Sequence, residues 1–184
     1  WDEAVAATTP PLDDAWLDDN FGAYLRRTFA VDGSLVMGTS GPPVYLSAGE
    51  GFSADEIDTL PSMLAPLVEA ALATGRQEPQ PVRRTFRIGD GIVFAAAAPI
   101  APFVTDGTVP ATDGPGQALV IFQRLDRYFL GHDMIGGLPD VTLALTMPQD
   151  DAALALDGPD GAPVAWFTWR PDQPGRALLE STLP

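Results

Sequence analysis

The chain has 184 residues, no cysteine and a formal net charge of −15 at pH 7. The absence of cysteine excludes disulfides, thiolate zinc sites and cysteine nucleophiles, and so strong a negative charge repels nucleic acid and anionic lipid surfaces. With 46% hydrophobic residues the chain can form a packed core. Its longest apolar run, residues 92–100, is too short to cross a membrane.

The chain opens with a short helical pattern. Residues 1–7 are mostly good helix formers and have no helix-start signal before them. We therefore expect the end of a helix that is truncated here and begins earlier in a longer protein. Pro10 and Pro11 end this helix, because proline disfavours helical angles in the residue before it.

Residues 12–29 predict two further short helices that are separated by a break at 18–20. The aspartates of this stretch fall at helix starts, where the helix dipole favours negative charge. We expect the acids to face solvent and the aromatic rings to face the core. A spacing of four residues predicts burial of Phe21, Leu25 and Phe29.

One long helix is predicted in the middle of the chain. Ser53 and Glu56 form a capping box, which starts the helix. We expect it to run to about Thr74, with interruptions at Pro61 and Pro66. Its predicted buried stripe consists of Leu60, Leu64, Leu67, Val68, Ala71 and Leu72.

Eight strands are predicted after residue 30, mostly in neighbouring pairs. The first four form two hairpins around loops rich in glycine and proline. A helix that Asp126 caps, ending near residue 135, separates the fifth strand from the last three. The order predicts an α+β fold with a central antiparallel β-sheet flanked by helices. The predicted strands are 34–38, 44–48, 84–88, 92–99, 117–125, 141–147, 153–156 and 164–169.

The residues offer little for catalysis or metal binding. His132 is the sole histidine and no nucleophile elbow accompanies it, so a structural or surface role is favoured. The paired aspartates are typical of caps and turns, and none has the pattern of a calcium loop. We predict no catalytic residue, no metal site and no cofactor. A hydrolase that uses facing aspartates is the least favoured alternative.

Three arginines form a basic cluster beside an alanine-rich strand. Arg83, Arg84 and Arg87 precede residues 92–99, whose small side chains indicate close packing of a helix or a ligand. A guanidinium group at the edge of such a pocket is suited to hold a carboxylate, whereas the alternative is pairing with surface aspartates. We predict a ligand pocket between the sheet and the helix that starts at Ser53. Its predicted ligand-binding residues are Tyr45, Arg84 and Phe94.

Several short motifs are distributed along the chain. They are Trp1-Asp2-Glu3-Ala4, Trp16 with Asp19-Asn20-Phe21-Gly22, Thr28-Phe29, Val44-Tyr45, Ala97-Ala98-Pro99-Ile100, Leu125-Asp126, and Trp169-Arg170-Pro171 with Pro174-Gly175. Together these motifs resemble a known family, the CHASE domain of the fourth type. That domain is an extracytoplasmic sensor found between two transmembrane helices of bacterial signalling receptors.

The resemblance implies a PAS-like, Cache-like sensor fold in the periplasmic part of an inner-membrane protein. Intact receptors of this type usually end in GGDEF and EAL modules, which make and degrade cyclic di-GMP, or in histidine kinases. The resemblance also implies a homodimer, and it supplies no ligand-contact residues. Structural, signal-coupling roles are expected for Trp1, Asp2, Trp16, Asn20 and Gly22.

We therefore expect residues 1–184 to form a single extracytoplasmic sensor domain that binds an unknown small molecule, of which a carboxylate is one class. In this interpretation residues 1–29 are a helical clamp that ties the incoming membrane helix to the sheet. Residues 30–125 form the PAS-like core, and residues 126–184 add a helix and membrane-proximal strands. The alternative is a module that docks a periplasmic partner protein.

Overall fold

The computed structural model describes residues 2–75, 80–101, 116–125, 141–149 and 152–169. The predicted helix after Asp126, with His132, and the chain after Trp169 lie outside these residues, as does Trp1. The helical elements are α1 (Asp2–Ala7), α2 (Asp14–Leu17), a π-helical turn (Asp18–Ala23), α3 (Tyr24–Phe29) and α4 (Ala54–Ala73). The strands are β1 (Gly33–Gly38), β2 (Tyr45–Ala48), β3 (Val82–Ile88), β4 (Gly91–Pro99), β5 (Gln117–Arg124), β6 (Thr142–Ala144), β7 (Ala152–Asp157) and β8 (Pro163–Trp169).

Five strands form one antiparallel sheet in the order β2-β1-β5-β4-β3. Helix α4 covers one face of this sheet and makes the main core with it. The α4-facing side chains of the strands alternate with those of the other face, as the two-residue period of a strand requires. The strand residues buried under α4 are Leu35, Met37, Phe86, Ile88, Val93, Ala95, Ala97, Ala118, Val120 and Phe122.

The opposite face of the sheet is covered at both ends. At the β1–β2 end, the N-terminal helices pack over Val36, with Leu17 and Phe21 buried between them. At the other end, β6, β7 and β8 form a separate three-stranded antiparallel sheet in the order β6-β8-β7. This small sheet packs over Ile92, where Ala165 of β8 is buried. The α+β class is confirmed, with two antiparallel sheets instead of one.

Helix α4 is continuous through both of its prolines, so the predicted interruptions at Pro61 and Pro66 are wrong. Each proline removes a backbone hydrogen bond and costs about 3 kcal/mol in a helix interior. Burial of the apolar stripe offsets this cost, because each fully buried leucine contributes roughly 1.5–3 kcal/mol. The predicted capping box of Ser53 and Glu56 is present. The stripe is confirmed, with Leu60, Leu64, Leu67, Val68 and Ala71 buried and Leu72 half-buried.

The predicted break at residues 18–20 is also wrong, because the chain continues there as the π-helical turn. A π-helix bonds residues five apart and so holds more residues per turn than an α-helix. This rotates the face that α3 presents relative to Phe21, so a spacing of four no longer places Leu25 on the face of Phe21. Phe21 is buried as predicted, but Leu25 is only half-buried and Phe29 is 57% exposed. Tyr24 is also exposed, so the aromatic rings do not all face inward.

The predicted strands agree closely with the structure, except that β6 ends at Ala144 instead of reaching Met147. The hairpin between β3 and β4 turns at Gly89, whose φ of 53° lies in the left-handed region that glycine favours. Among the helices that the structure describes, none is long and apolar enough to cross a membrane.

Candidate functional site

The N-terminal segment is fixed to the sheet by polar contacts around Tyr45. The Tyr45 hydroxyl donates a hydrogen bond to Asp18 Oδ1 at 2.9 Å. A guanidinium NH of Arg26 donates to Ser47 Oγ, two residues further along β2. A side chain at Gly22 would overlap the Tyr45 hydroxyl, so glycine allows the π-helical turn to lie directly against this ring.

Burial raises the pKa of Tyr45, and the hydrogen bond and negative charge of Asp18 add to this effect. The hydrogen bond with Ser47 opposes it. Because these effects together leave the pKa of Tyr45 above the ordinary value of a phenol, the hydroxyl stays protonated at neutral pH. It therefore remains a hydrogen-bond donor to Asp18 throughout the physiological range.

A second, buried contact comes from β1. Ser34 is 1% exposed, and its Oγ donates to the backbone oxygen of Phe21 at 2.6 Å. Phe21 in turn packs edge-on against Trp16, with the ring centroids 5.3 Å apart. We call Asp18, Phe21, Gly22, Arg26, Ser34, Tyr45 and Ser47 the docking site. It joins the π-helical turn and α3 to β1 and β2.

The structure brings together most of the residues predicted to couple the signal. Trp16 lies over Phe21, and Asn20 Nδ2 donates to the backbone oxygen of Trp16 at 2.9 Å. Gly22 lies against Tyr45. Asp2 lies in the first turn of α1, outside the docking site, and Trp1 is not among the described residues. A role in signalling remains a prediction for all of them.

The three predicted ligand-binding residues do not meet. Tyr45 lies on edge strand β2 and Arg84 on the opposite edge strand β3, about 19 Å apart at the usual spacing of four strand intervals. Arg84 is paired with Ala95, whose side chain is buried under α4. Phe94 points to the other face, since successive residues of a strand alternate. One pocket under α4 lined by all three is therefore not formed.

Arg84 has a local role at the sheet edge. One of its guanidinium NH groups donates to the backbone oxygen of Arg83 at 2.7 Å. A side chain that covers a carbonyl of an edge strand hinders pairing with another strand. Arg83 and Arg87 lie on the other face of β3 and are exposed.

Sequence reasoning missed several members of the docking site, namely Asp18, Arg26, Ser34 and Ser47. The signal for Ser34 was available, because it alternates with Leu35 in β1 and so had to lie on the face away from α4. Asp18 was assigned to a helix break, which hid its position opposite Tyr45. Nothing in the sequence places Arg26 beside Ser47, 21 residues away.

An ion pair between α4 and β5 was also missed. Arg124 Nη2 lies 2.6 Å from Glu56 Oε1, and its guanidinium group is 4.7 Å from the centre of the Phe52 ring. Hydrogen bonds from the Ser53 backbone and from Arg124 lower the pKa of Glu56. The Arg124 amide also donates to Asp32 at 2.6 Å. These contacts fix the start of α4 to the end of β5.

The described ranges contain no group of three or more His, Asp or Glu side chains placed to hold a metal ion. The polar groups of the docking site and of the Arg124–Glu56 contact are held by hydrogen-bond or ion-pair partners. The fold provides a sheet with a helical segment docked on one face.

The comparison with known families identifies the family of the chain. The family model of the CHASE4 domain matches residues 1–132, and the chain belongs to the CHASE4 family. CHASE4 domains are extracytoplasmic sensor domains of signalling receptors and are not catalytic. The three-stranded sheet of β6, β7 and β8 lies beyond the matched residues. No curated protein matches the chain.

Proposed function

We propose that this domain senses a small molecule in the periplasm for an inner-membrane receptor and passes a conformational signal to the N-terminal segment. The observation that carries the proposal is the docking site. The segment that leads toward the membrane is held by the Ser34 and Tyr45 hydroxyls, both of which belong to strands of the sheet. A ligand that binds the sheet better in one arrangement than in another would shift the position of this segment.

The fold supports a PAS-like, Cache-like assignment within this proposal. A five-stranded antiparallel sheet with one helix across a face and an N-terminal helical segment on the other is compatible with such sensors. In this division residues 1–29 dock on the core 30–125, and residues 126–184 complete one domain near the membrane. A homodimer in the receptor belongs to the same proposal.

The output that we propose is cyclic di-GMP metabolism through GGDEF and EAL modules, with a histidine kinase as the alternative. The sequence on both sides of residues 1–184 tests this part directly. We expect one hydrophobic span of about 20 residues on each side, as a helix that crosses the bilayer requires. A parent protein with a span on neither side would contradict the receptor topology.

A melting-temperature screen tests ligand binding itself. A ligand present at about 100 times its dissociation constant stabilises the folded state by about 2.7 kcal/mol, which is readily seen as a raised melting temperature. We expect a shift with at least one member of a panel of small carboxylates, amino acids and nucleosides. No shift with any of them at millimolar concentration would count against small-molecule sensing.

Docking of a periplasmic partner protein is the second candidate, because apolar side chains are exposed near the small sheet. Met147 is 72% exposed, Leu154 58% and Leu145 42%. Exposed apolar surface of this kind is typical of protein contacts. If this candidate holds, Leu154→Glu abolishes capture of a periplasmic protein while the ligand screen gives no shift.

A further inference from the structure

We propose that the ligand binds on the face of the large sheet opposite α4, where Arg83 holds the carboxylate of a small molecule with an apolar body. The proposal rests on the sensing function above and specifies its site and its ligand class. It differs from the pocket expected from the sequence, because it uses Arg83 instead of Arg84 and the face opposite α4 instead of the α4 face.

The site is defined by one row of residues that crosses the sheet. Strand register places Arg83 opposite Ala96, Ala96 opposite Ile121, Ile121 opposite Ser34 and Ser34 opposite Ser47. Directly opposed residues share a face, so the five side chains form one line, which we call the transverse row. Ser34 fixes its face, because its hydroxyl bonds the π-helical turn on the side away from α4.

The middle of the transverse row is partly open. The N-terminal helices cover the β1–β2 end of this face and the small sheet covers Ile92 at the β3–β4 end. Between them Phe94 is 38% exposed, and Ala96, Ala98 and Ile121 are half-buried. Small side chains beside an exposed ring make a shallow apolar floor, the kind of surface that receives the apolar part of a ligand.

The charge at the end of this floor favours an anion. Arg83 and Arg87 both point to this face and are exposed, in a chain of net charge −15. With so many carboxylates available, pairing within the protein was the competing interpretation. Within the ranges that the structure describes, the ion pair found is that of Arg124 with Glu56, and it involves neither Arg83 nor Arg87.

A carboxylate is the anion that best fits both features. Guanidinium groups bind carboxylates through paired, charge-assisted hydrogen bonds, while the floor of Phe94, Ala96 and Ile121 requires an apolar body. The ligand class is therefore a monocarboxylate with an aromatic or branched aliphatic group. A highly charged phosphate compound would leave this floor unused.

The transverse row also connects this site with the docking site. Its far end consists of Ser34 and Ser47, which bond Phe21 and Arg26 of the N-terminal segment. Three strand intervals, about 14 Å, separate Arg83 from Ser34. A ligand whose carboxylate draws β3 and β4 toward it acts on one side of the sheet. Through β5 the same sheet continues to β1 and β2, the strands that hold the N-terminal segment.

Calorimetric titration with phenylacetate tests the proposal, with its uncharged amide, phenylacetamide, as the matched probe. We expect phenylacetate to bind the wild-type chain and phenylacetamide to bind far more weakly. Arg83→Ala should raise the Kd by about tenfold or more, as expected when a charged hydrogen-bonded pair is lost. Ala96→Met, which fills the floor, should also weaken binding. Circular dichroism confirms that each variant is folded.

Arg84→Ala is the control, since it removes the same charge from the neighbouring residue on the other face. We expect its Kd to stay within about twofold of the wild-type value. An equal loss in Arg83→Ala and Arg84→Ala overturns the proposal, and so does no loss in Arg83→Ala. Binding of amino acids or nucleosides without phenylacetate overturns this site and retains the sensing function. If phenylacetate and every carboxylate, amino acid and nucleoside of the panel fail to bind, both this site and the sensing function are overturned.

Discussion

The two ends of the transverse row differ in how their polar groups are satisfied. At the docking site Ser34, Ser47 and Tyr45 each have a hydrogen-bond partner in the N-terminal segment. At the other end Arg83 is exposed and has no ion pair within the described part of the chain. A contact whose polar groups are satisfied holds structure together, whereas in our proposal an exposed cation with an apolar floor beside it receives the ligand. In our proposal the first end holds the structure together and passes the signal, and the second end recognises the ligand.

Phe21→Ala should have the largest effect on stability. Phe21 is 7% exposed and packs against Trp16 under the N-terminal helices. Removing a buried phenylalanine side chain costs about 3–5 kcal/mol, and we expect a loss near 3 kcal/mol in urea unfolding monitored by circular dichroism. Phe29→Ala is the matched control, because Phe29 is 57% exposed. A similar loss in both variants would contradict the assignment of Phe21 to the core.

Trp16→Ala should destabilise the fold less than Phe21→Ala. Trp16 is half-buried and contacts Phe21 with one edge of its ring, so part of its surface is already in water. We expect a loss of about 2 kcal/mol, below the range for fully buried aromatics. A near-neutral result in the same urea measurement would show that the N-terminal helices are not firmly docked.

Ser34→Ala should cost about 1–2 kcal/mol, because it removes the donor to a buried carbonyl oxygen. The Ser47→Ala variant provides the comparison at the more exposed rim of the docking site, and there we expect about 0.5 kcal/mol. The same unfolding measurement distinguishes the two. A smaller effect for Ser34 than for Ser47 would contradict the buried contact with Phe21.

The pH dependence of stability should reveal Tyr45. Its pKa is raised in the folded state, so the stability that it contributes is fully present below the unfolded value of 10.0 and is lost as the pH rises through the folded value. The chain has no lysine, so few other groups titrate in this range. Tyr45→Phe should reduce the decline of stability above pH 10, measured by urea unfolding at several pH values. An unchanged decline would contradict the raised pKa of Tyr45, of which burial is the main cause.

Arg83→Ala should have the smallest effect on stability, within about 0.5 kcal/mol of the wild type, as for exposed side chains without partners. Arg124→Ala contrasts with it, because Arg124 is paired with Glu56 and packs on Phe52. We expect the Arg124 variant to be less stable by about 1–2 kcal/mol. If Arg83→Ala and Arg124→Ala are equally stable, the contacts of Arg124 with Glu56 and Phe52 contribute no stability, which would contradict the contrast between the two arginines.

Patterns within one element were predictable from the sequence, and contacts between distant elements were not. The strand alternation, the Ser53–Glu56 capping box and the buried stripe of α4 each depend on neighbouring residues, and the structure confirms them. The breaks at Pro61 and Pro66 were predicted because the local helix preference of proline takes no account of the burial of the α4 stripe, which offsets the cost of each proline. Burial of Leu25 on the face of Phe21 was predicted because the sequence does not reveal the π-helical turn that rotates this face. Phe29 is the last residue of α3 and is exposed there.

The candidate site shows the same limit. The basic cluster on β3 and the alanine-rich strand beside it were visible in the sequence, but the face to which each arginine points depends on where α4 packs. The order β2-β1-β5-β4-β3 places Tyr45 and Arg84 on opposite edges, and no local pattern determines strand order. The transverse row is a property of register between strands that are far apart in the chain.

Hydrogen exchange with and without phenylacetate tests most directly whether the two ends of the transverse row act together. We expect saturating phenylacetate to change the exchange of amides in 18–29 as well as in β3 and β4, since a ligand that biases the sheet must also bias the segment held by Ser34. Arg83→Ala should abolish both changes at the same phenylacetate concentration. Changes confined to β3 and β4, with 18–29 unaffected at full occupancy, would contradict the account.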